Sequence, residues 1–460
     1  MKLRNLILAG LLGLASLGAT AAEAPKYVFY FIGDGMGLNP IMTAQAYNRD
    51  VLGNSDPLLM MQFPVASWAM SYSASSPITD SAAAGTALST GHKTRNGMVG
   101  MTPDSAAVNS VARVLKDNGY GVGVVTSVGA DDATPAAFYA HAPYRKLYRD
   151  IDLQAAQSGY DFIAGAGFGG IKDNPEVKEA LTQNGVQLVW GAKGVDEIAA
   201  DRVLLLADSI RTWNIGYTID SISGALNLPL ITRTAMKHLE RVSPERYFLM
   251  VEGGNIDHAL HANDAGAAIK EILNFNQALA EAYNFYLAHP DETLIVVTAD
   301  HDTGGMSHVA SRTKFSNPLS VFDYQRVSKE AFSDYCKSLI ATTDPYSWED
   351  MRRYLADNLG LFSYIPVSEK DEKALREAFD QTFNLRNSSD QETLYASFNA
   401  FAVSVFNMLN DAAGTIFTTT SHSGNMVPVF AVGVGADEFR HPNNNTDLPR
   451  IMATICGVEL

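Results

Sequence analysis

Cysteine is nearly absent from the chain, since only Cys336 and Cys456 occur among its 460 residues. Two thiols far apart in sequence can pair, but they do not form the disulfide framework that holds many small secreted domains together. The sequence leaves their state open. The chain is long enough to bury a deep core without cross-links, and its 47% hydrophobic and 18% charged residues are typical of an ordinary globular protein.

Basic residues are also scarce, with 34 Lys and Arg against 50 Asp and Glu, which gives a formal net charge of −16. General nucleic-acid binding depends on Lys and Arg that neutralise phosphates, so this balance argues against it. The sequence has no internal repeat and no low-complexity tract, and this composition excludes a collagen-like or disordered chain.

Long hydrophobic runs are missing too, because no run reaches the roughly 20 residues of a membrane-spanning helix. At the start, a basic segment over residues 1–4 precedes an apolar stretch over 6–17 and a small-residue cleavage pattern over 19–21. This order is typical of a secretory signal peptide. We therefore predict a signal peptide over 1–21, a single catalytic domain over 22–460, and a periplasmic or secreted protein without a membrane anchor once the signal is removed.

Short apolar, β-branched runs alternate with stretches of helical periodicity, and each run leads into a corner rich in Gly, Asp or Ser. The predicted strands cover residues 27–32, 122–126, 247–251, 293–298 and 427–434, and the predicted helices cover 81–88, 105–116 and 262–286. This alternation implies an α/β fold, a three-layer sandwich in which helices flank a large, mainly parallel central sheet. Ligands of such folds sit beyond the carboxyl ends of the strands.

One region departs from this alternation. Residues 311–413 are rich in aromatic and charged side chains with helical periodicity, as over 350–361 and 372–383. We interpret the region as a helical insertion within the catalytic domain. A lid, an oligomer contact and a peripheral cap are all compatible with its sequence.

Two glycine-rich segments suggest different things. Gly33 and Gly35 flank Asp34, which lets the backbone turn tightly and expose a carboxylate to a cation. A turn Asp that caps the next helix is the alternative. The G-x-G-x-x-G match over residues 165–170 is weak evidence for a dinucleotide site because no clear βαβ unit surrounds it, and we interpret it as a tight glycine loop.

The first half of the chain also carries a candidate nucleophile and candidate anion and cation ligands. Ser81 begins a run of small residues, where a serine is commonly a helix cap, but a helix N-terminus would also hold a phosphate that the serine attacks. Asp132 and Thr134 follow a strand and can both approach one Mg²⁺. Arg145 can offer a bidentate fork to phosphate, although a lone Arg is more often a surface residue.

The second half is densest in metal-ligand residue types. Asp257 and His261 are four residues apart on one face of a predicted helix, a spacing that suits zinc. A single His is usually structural, but three such segments at strand ends together predict a metal centre. The residues are Glu252, Asp257, His258 and His261 in one segment, Asp300 and His301 in the next, and His422 before the last strand.

In this order, the motifs resemble those of the alkaline phosphatase family, and the resemblance covers nearly all of the mature chain except the insertion. The segments are G-D-G-M-G at 33–37, T-D-S-A at 79–82, D-A-T-P at 132–135, E-x-x-x-x-D-H-x-x-H at 252–261, A-D-H-x-T-G-G at 299–305 and S-H-S-G at 421–424. The resemblance implies an alkaline-phosphatase-like fold. It also implies metal-dependent hydrolysis of phosphate monoesters through a phosphoseryl intermediate, with release of inorganic phosphate.

The resemblance further implies a role for each candidate residue. Ser81 would be the nucleophile, and Arg145 would bind the substrate phosphate. Two zinc ions about 4 Å apart can polarise the attacking and leaving oxygens together. The metal contacts would be Asp34, Asp300 and His301 for the zinc beside Ser81, Asp257, His261 and His422 for the second zinc, and Asp34, Thr134 and Glu252 for one Mg²⁺ with Asp132 beside it, while His258 would lie just outside the ligands.

Family members vary at the positions of Asp132 and His258, so the third metal is open and another ion could replace Mg²⁺. A phosphodiesterase or sulfatase of the same superfamily is the alternative enzyme, and a phosphate-binding protein without turnover is the alternative of another class. Sulfatases use a modified Cys or Ser in a different motif, and diesterases often use a Thr nucleophile, so Ser81 with Arg145 favours small phosphate monoesters. Family members are commonly dimers, which implies a homodimer unless the insertion blocks that interface.

Overall fold

The computed structural model describes residues 24–171, 174–207, 213–220, 223–310, 318–342 and 346–460. The predicted signal peptide over 1–21 lies outside the described residues, as do residues 311–317 and 343–345 of the predicted insertion. Among the described residues, every helix is too short or too polar to span a bilayer.

The strands comprise a central sheet and three short ribbons. They are β1 (Tyr27–Gly33), β2 (Val65–Ala69), β3 (Gly121–Thr126), β4 (Phe162–Gly165), β5 (Val186–Trp190), β6 (Arg202–Leu206), β7 (Tyr247–Glu252), β8 (Thr293–Ala299), β9 (Asp302–Thr303), β10 (Ser307–His308), β11 (Gln391–Glu392), β12 (Ser397–Phe398), β13 (Thr415–Ile416), β14 (His422–Ser423) and β15 (Val427–Gly433). Within the described residues, the central sheet has nine strands in the order β2-β15-β8-β1-β7-β3-β4-β6-β5. The ribbons pair β10 with β13, β11 with β12, and β14 with β9.

Helices cover both faces of the sheet. They are α1 (Leu38–Asp50), α2 (Ser81–Thr90), α3 (Val111–Asp117), α4 (Ala133–Ala136), α5 (Tyr148–Gln157), α6 (Pro175–Gln183), α7 (Gly191–Gly194), α8 (Leu228–Val242), α9 (Asn255–His261), α10 (Ala265–Ala288), α11 (Lys329–Ala341), α12 (Trp348–Leu359), α13 (Glu369–Phe379), α14 (Ala400–Ala413) and α15 (Asp447–Ile455). One group contains α1, α8 and α10, and another contains α2, α3, α4 and α15. Both groups contact β3, which is buried along its whole length. The predicted three-layer α/β fold is confirmed.

The register of the central strands brings their carboxyl ends level. Ile32 at the end of β1 is paired with Glu252 of β7 and with Thr298 of β8, and Thr126 at the end of β3 is paired with Glu252. These pairings are all parallel, as predicted. Because parallel strands end at one edge of the sheet, the segments that follow β1, β3, β7 and β8 meet there.

The sequence predicted no direction for the last strand, and one expected helix boundary needs correction. The last strand, β15, runs antiparallel to β8 and β2, which its apolar pattern did not reveal because a buried antiparallel strand has the same composition as a parallel one. The helix expected from residue 105 begins only at Val111, since Ser105 has a left-handed backbone with φ of 69° and Ser110 caps the helix. Both cysteines, whose pairing the sequence left open, are buried and unpaired.

The predicted insertion is largely helical where it is described. It contains α11 to α14, and the helix expected over 372–383 ends as α13 and continues as a π turn over Asp380–Asn384. A hairpin formed by β11 and β12 stands between α13 and α14. The aromatic rings of this region pack mainly on one another, as in Phe332 on Tyr354 and Trp348 on Phe379.

Candidate active site

Ser81 is the first residue of α2, and its hydroxyl does not cap the helix. The cap is Asp80, whose carboxylate accepts a hydrogen bond from the Ala83 N–H at 2.9 Å. Ser81 is buried, and its Oγ lies 3.1 Å from Nε2 of His301. The cap alternative for this serine is therefore wrong. Its hydroxyl lies beside a candidate metal ligand at the positive end of a helix dipole.

One group of candidate ligands consists of Asp257, His261 and His422. The Nε2 atoms of the two imidazoles are 3.1 Å apart, and Nε2 of His261 is 3.3 Å from Asp257 Oδ2. Nδ1 of His261 lies 2.6 Å from the Thr420 carbonyl oxygen, and Nδ1 of His422 lies 2.9 Å from that of Thr79. A carbonyl oxygen only accepts, so each Nδ1 carries the proton and the two Nε2 lone pairs face each other. This arrangement is repulsive without a cation and suits ligation of one.

A second group consists of Asp34, Asp300 and His301. Nε2 of His301 lies 3.0 Å from Asp300 Oδ2 and 3.5 Å from Asp34 Oδ1. The Thr303 hydroxyl donates to Asp257 and lies 3.2 Å from Nδ1 of His301, so it accepts from that nitrogen. In the neutral imidazole, the Nε2 lone pair then faces two carboxylates. Burial opposes a charge on His301, but the neighbouring Asp300 raises the pKa of its imidazole above the usual range.

The remaining oxygen ligands are Thr134 and Glu252. Glu252 ends β7, and the Thr126 hydroxyl at the end of β3 donates to Oε2 of Glu252. Oε1 of Glu252 and Oγ1 of Thr134 are buried and have no hydrogen-bond partner. Two carboxylates and a hydroxyl form an oxygen-only set of the kind that Mg²⁺ prefers.

Each of the three groups contains buried oxygen atoms that have no hydrogen-bond partner. They are Asp34 Oδ1, Thr134 Oγ1, Glu252 Oε1, Asp257 Oδ2 and Asp300 Oδ2. Burial and the charge of Asp300 raise the pKa of Asp34 well above its usual range, and burial raises the pKa of Glu252 to about 8. Burial also lowers the pKa of His422 to about 3. Since buried polar atoms in native proteins are almost always paired, these residues fit metal ions.

Gly35 allows the first two groups to approach each other. Its backbone is left-handed, with φ of 67°, and a Cβ atom here would lie 2.7 Å from Asp257 Oδ1. Its N–H donates to Asp300 Oδ1 at 2.9 Å. Asp34 itself is only 3% exposed, so its carboxylate faces the other candidate ligands and not solvent. This position agrees with the expectation that the flanking glycines present the carboxylate to a cation.

Arg145 is held between two carboxylates beside the site. Its Nη2 donates to Asp132 Oδ1 at 2.8 Å, and its Nη1 lies 3.6 Å from Asp80 Oδ2. Both carboxylates belong to helix caps, of α4 and α2 respectively. The Arg145 side chain is only 12% exposed, so the alternative of a surface arginine is wrong. The two ion pairs orient the guanidinium fork, which matches the geometry of a phosphate.

His258 is buried in α9, next to Asp257, but belongs to neither metal-ligand group among the described residues. Burial lowers the pKa of its imidazole, which keeps the ring neutral. The ring of Tyr395 lies on it with a centroid distance of 4.1 Å. Tyr395 also contacts the ring of His261, with a centroid distance of 5.2 Å.

Sequence reasoning missed four residues of this site: Asp80, Thr126, Thr303 and Tyr395. Asp80 and Thr303 lie within the quoted motifs, so a closer look at those segments could have found them. Thr126 had only its position at a strand end as a signal. Tyr395 had none, because it belongs to the insertion and reaches the site through tertiary structure alone.

The glycine loop over 165–170 is separate from this chemistry. Its Gly169 and Gly170 N–H groups donate to the carboxylates of Asp131 and Asp152 at 2.6 and 2.9 Å. The interpretation as a tight glycine loop agrees with these bonds, because side chains of the protein already satisfy the N–H groups that a dinucleotide would need.

Comparison with known proteins identifies the family. The profile described as alkaline phosphatase matches residues 25–167 and 163–458. The chain belongs to the alkaline phosphatase family. Members of this family are phosphoric monoester hydrolases, so the chain is a metal-binding hydrolase of phosphate monoesters.

Several alkaline phosphatases are similar to this chain over almost its whole length. Alkaline phosphatase 4 of Bacillus subtilis is 29% identical over 445 residues, which cover 94% of this chain and 88% of that protein. The repressible alkaline phosphatase of Saccharomyces cerevisiae is 28% identical over 457 residues, which cover 90% and 76%. The crystal structure of a cold-active alkaline phosphatase from the psychrophile Shewanella sp. has a TM-score of 0.79 and 26% identity, and covers 93% of this chain and 99% of that one.

Proposed function

We propose that the chain hydrolyses small phosphate monoesters by transferring the phosphoryl group to Ser81 and then to water, with release of inorganic phosphate. The observation that carries this proposal is the position of the Ser81 hydroxyl. It lies 3.1 Å from His301, at the N-terminus of α2 and next to two clusters of metal-ligand side chains. A serine in this position can attack phosphorus while the helix dipole favours the anionic substrate.

The donor chemistry of the three groups suggests which ions they bind. The mixed nitrogen and oxygen sets suit zinc, and the oxygen-only set suits Mg²⁺. When bound, the ions supply Lewis acidity for the attacking and leaving oxygens. The zinc ligands would be Asp34, Asp300 and His301 in one site and Asp257, His261 and His422 in the other, and the Mg²⁺ ligands would be Asp34, Thr134 and Glu252 with Asp132 beside them.

The other side chains bind and orient the substrate. Arg145 would hold two phosphoryl oxygens through its fork, which Asp132 and Asp80 keep in place. Asp80 also positions Ser81 by capping α2, so that the serine hydroxyl is not drawn into a cap. Because Ser81 is buried, bulk water has limited access to the phosphorus atom during the transfer.

The same proposal extends to processing, location and assembly, on sequence support. Residues 1–21 would be removed during export to the periplasm or medium, and residues 22–460 would form the catalytic domain with 311–413 as its helical insertion. Two copies would form a homodimer. The alternative of a phosphodiesterase or sulfatase is less favoured because the candidate nucleophile is a serine, and because the Arg145 guanidinium, 3.6 Å from the Asp80 carboxylate that caps the helix of this serine, suits one terminal phosphoryl group.

The decisive experiment is hydrolysis of a chromogenic phosphate monoester at alkaline pH by the purified mature protein. A diester and a sulfate ester are run in parallel, before chelation, after chelation, and after zinc and magnesium are added back. We expect metal-restored monoester hydrolysis far above the other two. The S81A variant should retain its metal content, measured by elemental analysis, and lose at least about a thousandfold in turnover.

Two results would contradict the proposal. A dominant diester or sulfate signal would replace the substrate class while keeping the metal centre. Turnover by S81A at the wild-type rate, with metals bound, would remove Ser81 as the nucleophile.

A further inference from the structure

The insertion sends a hairpin to the candidate active site. The turn between β11 and β12 spans Thr393 to Ala396, and the Thr393 N–H donates to the Ala396 carbonyl oxygen at 2.9 Å. The Thr393 hydroxyl closes the turn further, donating to that carbonyl at 2.8 Å and accepting from the Ala396 N–H at 3.2 Å. Tyr395 is part of this turn, so its position is set by a well-bonded backbone.

Lys329 fastens the hairpin to the helix that carries the metal ligands. Its Nζ donates to the carbonyl oxygen of Ala262, the residue after His261, at 2.7 Å. The same Nζ lies 3.4 Å from Gln391 Oε1 in β11 and 4.9 Å from the ring centroid of Phe398 in β12. Lys329 is almost completely buried, so these contacts are shielded from solvent. The hairpin and the site therefore hold one relative position.

Tyr395 is the residue that this arrangement brings to the site. Its ring centroid lies 4.1 Å from that of His258, at an interplanar angle of 36°, and 5.2 Å from that of His261, at 78°. Its hydroxyl is buried and has no hydrogen-bond partner. An unpaired buried hydroxyl destabilises the protein, and a bound ligand that accepts its hydrogen bond would offset that cost.

The surroundings of the phenol indicate the chemistry of that ligand. The phenol ring contacts His261, a candidate metal ligand whose Nε2 lies 3.1 Å from that of His422. Burial raises the pKa of the phenol, and the charge of Arg145 partly opposes this shift. The Arg145 guanidinium and the Tyr395 hydroxyl are both hydrogen-bond donors. Two such donors suit a group with several acceptor oxygens, such as a phosphoryl group.

We propose that the Tyr395 hydroxyl donates a hydrogen bond to a phosphoryl oxygen of the bound substrate, alongside Arg145. This inference rests on the proposed function and gives the insertion a direct part in substrate binding. The insertion then completes the site that the central sheet builds, and it is neither a remote cap nor only an oligomer contact.

The test compares Y395F with Y364F in the metal-loaded full mature protein. Tyr364 lies in the same insertion, is 69% exposed and stacks on Tyr324, so it serves as the matched control. Binding of inorganic phosphate is measured by titration calorimetry, and metal content by elemental analysis. We expect Y395F to bind phosphate about tenfold more weakly and to lose about tenfold in kcat/KM, which is the effect of one hydrogen bond to a charged group. Y364F should leave both values unchanged, and metal content should not change in either variant.

The outcomes separate this inference from the proposed function. Phosphate affinity and kcat/KM of Y395F within twofold of the wild type, with an active wild-type enzyme, would overturn the role of Tyr395 alone. Loss of metal from Y395F would also overturn it, because the residue would then support the ligands and not the substrate. A wild-type protein that hydrolyses no monoester would instead overturn the proposed function.

Discussion

Three histidines of the site are oriented by hydrogen bonds to groups that are not candidate metal ligands. The carbonyl oxygens of Thr420 and Thr79 lie at Nδ1 of His261 and His422, and the Thr303 hydroxyl lies at Nδ1 of His301. In each case the outer nitrogen is engaged, and Nε2 is left for a cation. Such outer contacts decide both the tautomer and the direction of the ring.

A buried carboxyl group outside the metal centre makes stability depend on pH. Glu271 of α10 is 5% exposed, and burial raises the pKa of its carboxyl group to about 7, although the Thr218 N–H opposes this shift. The folded protein therefore holds a proton that the unfolded chain releases at lower pH. The free energy of unfolding should therefore fall by up to roughly 3 kcal/mol as the pH rises from the pKa of Glu271 in the unfolded chain to about 7. Above that pH the contribution of Glu271 should change no further.

We predict that the E271Q variant lacks this decline. The amide cannot ionise, and its oxygen can still accept the hydrogen bond from Thr218. The check is the free energy of urea unfolding of the metal-free protein at about pH 5 and pH 9. The free energy of unfolding of the variant, relative to that of the wild type, should be higher at about pH 9 than at about pH 5. An equal difference between the two proteins at both pH values would refute the raised pKa of Glu271.

At the scale of elements, the first turn of α2 organises the nucleophile and the guanidinium together. Asp80 accepts from the N–H groups of Ala83 and Gly97, both at 2.9 Å, and also faces Arg145. Its two oxygens are thus divided between a helix cap and a neighbouring loop. The single residue before Ser81 ties three parts of the site to one another.

We predict that D80A destabilises the protein by roughly 2–3 kcal/mol, because one change removes a cap and leaves a second backbone N–H without its acceptor. The matched variant is S347A, which removes an exposed cap of α12 that accepts from the Asp350 N–H and donates to the Asp350 carboxylate. It should cost about 1 kcal/mol. Urea unfolding of both metal-free variants checks this, and equal losses would mean that the contact to Gly97 contributes nothing.

On the scale of the whole molecule, the site is assembled from segments between residues 34 and 422, which the sheet brings together. The level carboxyl ends of β1, β3, β7 and β8 carry four acidic or hydroxyl-bearing segments to one place. The same convergence places several buried carboxylates next to one another, as the raised pKa of Asp34 beside Asp300 reflects. The fold holds this repulsion in place, and bound cations would remove it.

We therefore predict that chelation lowers the melting temperature of the protein by several degrees. Each ion at a thousandfold excess over its Kd stabilises the folded state by about 4 kcal/mol. Zinc and magnesium added back should restore the melting temperature in a calorimetric scan. S81A should show the same shift, since its metal ligands are unchanged. An identical melting temperature with and without chelator would show that the unpaired oxygens do not bind metal.

The sequence by itself determined the fold class, the family and the candidate ligands, because short motifs carry them. The Asp257–His261 spacing, the Asp300–His301 pair and the strand ends are local features, and periodicity and composition report local features well. Local patterns did not predict the antiparallel direction of β15 or the start of α3 at Val111, since these features depend on strand pairing and helix capping.

Only the tertiary structure decided how these residues face one another. The opposed Nε2 atoms of His261 and His422 lie 161 positions apart in sequence, and the contact between Tyr395 and His258 joins the insertion to the central site. No local pattern encodes such contacts, because they arise when distant segments are packed against the same edge of the sheet. The motifs therefore identified the chemical groups, and the packing of the sheet, helices and insertion set their distances and partners.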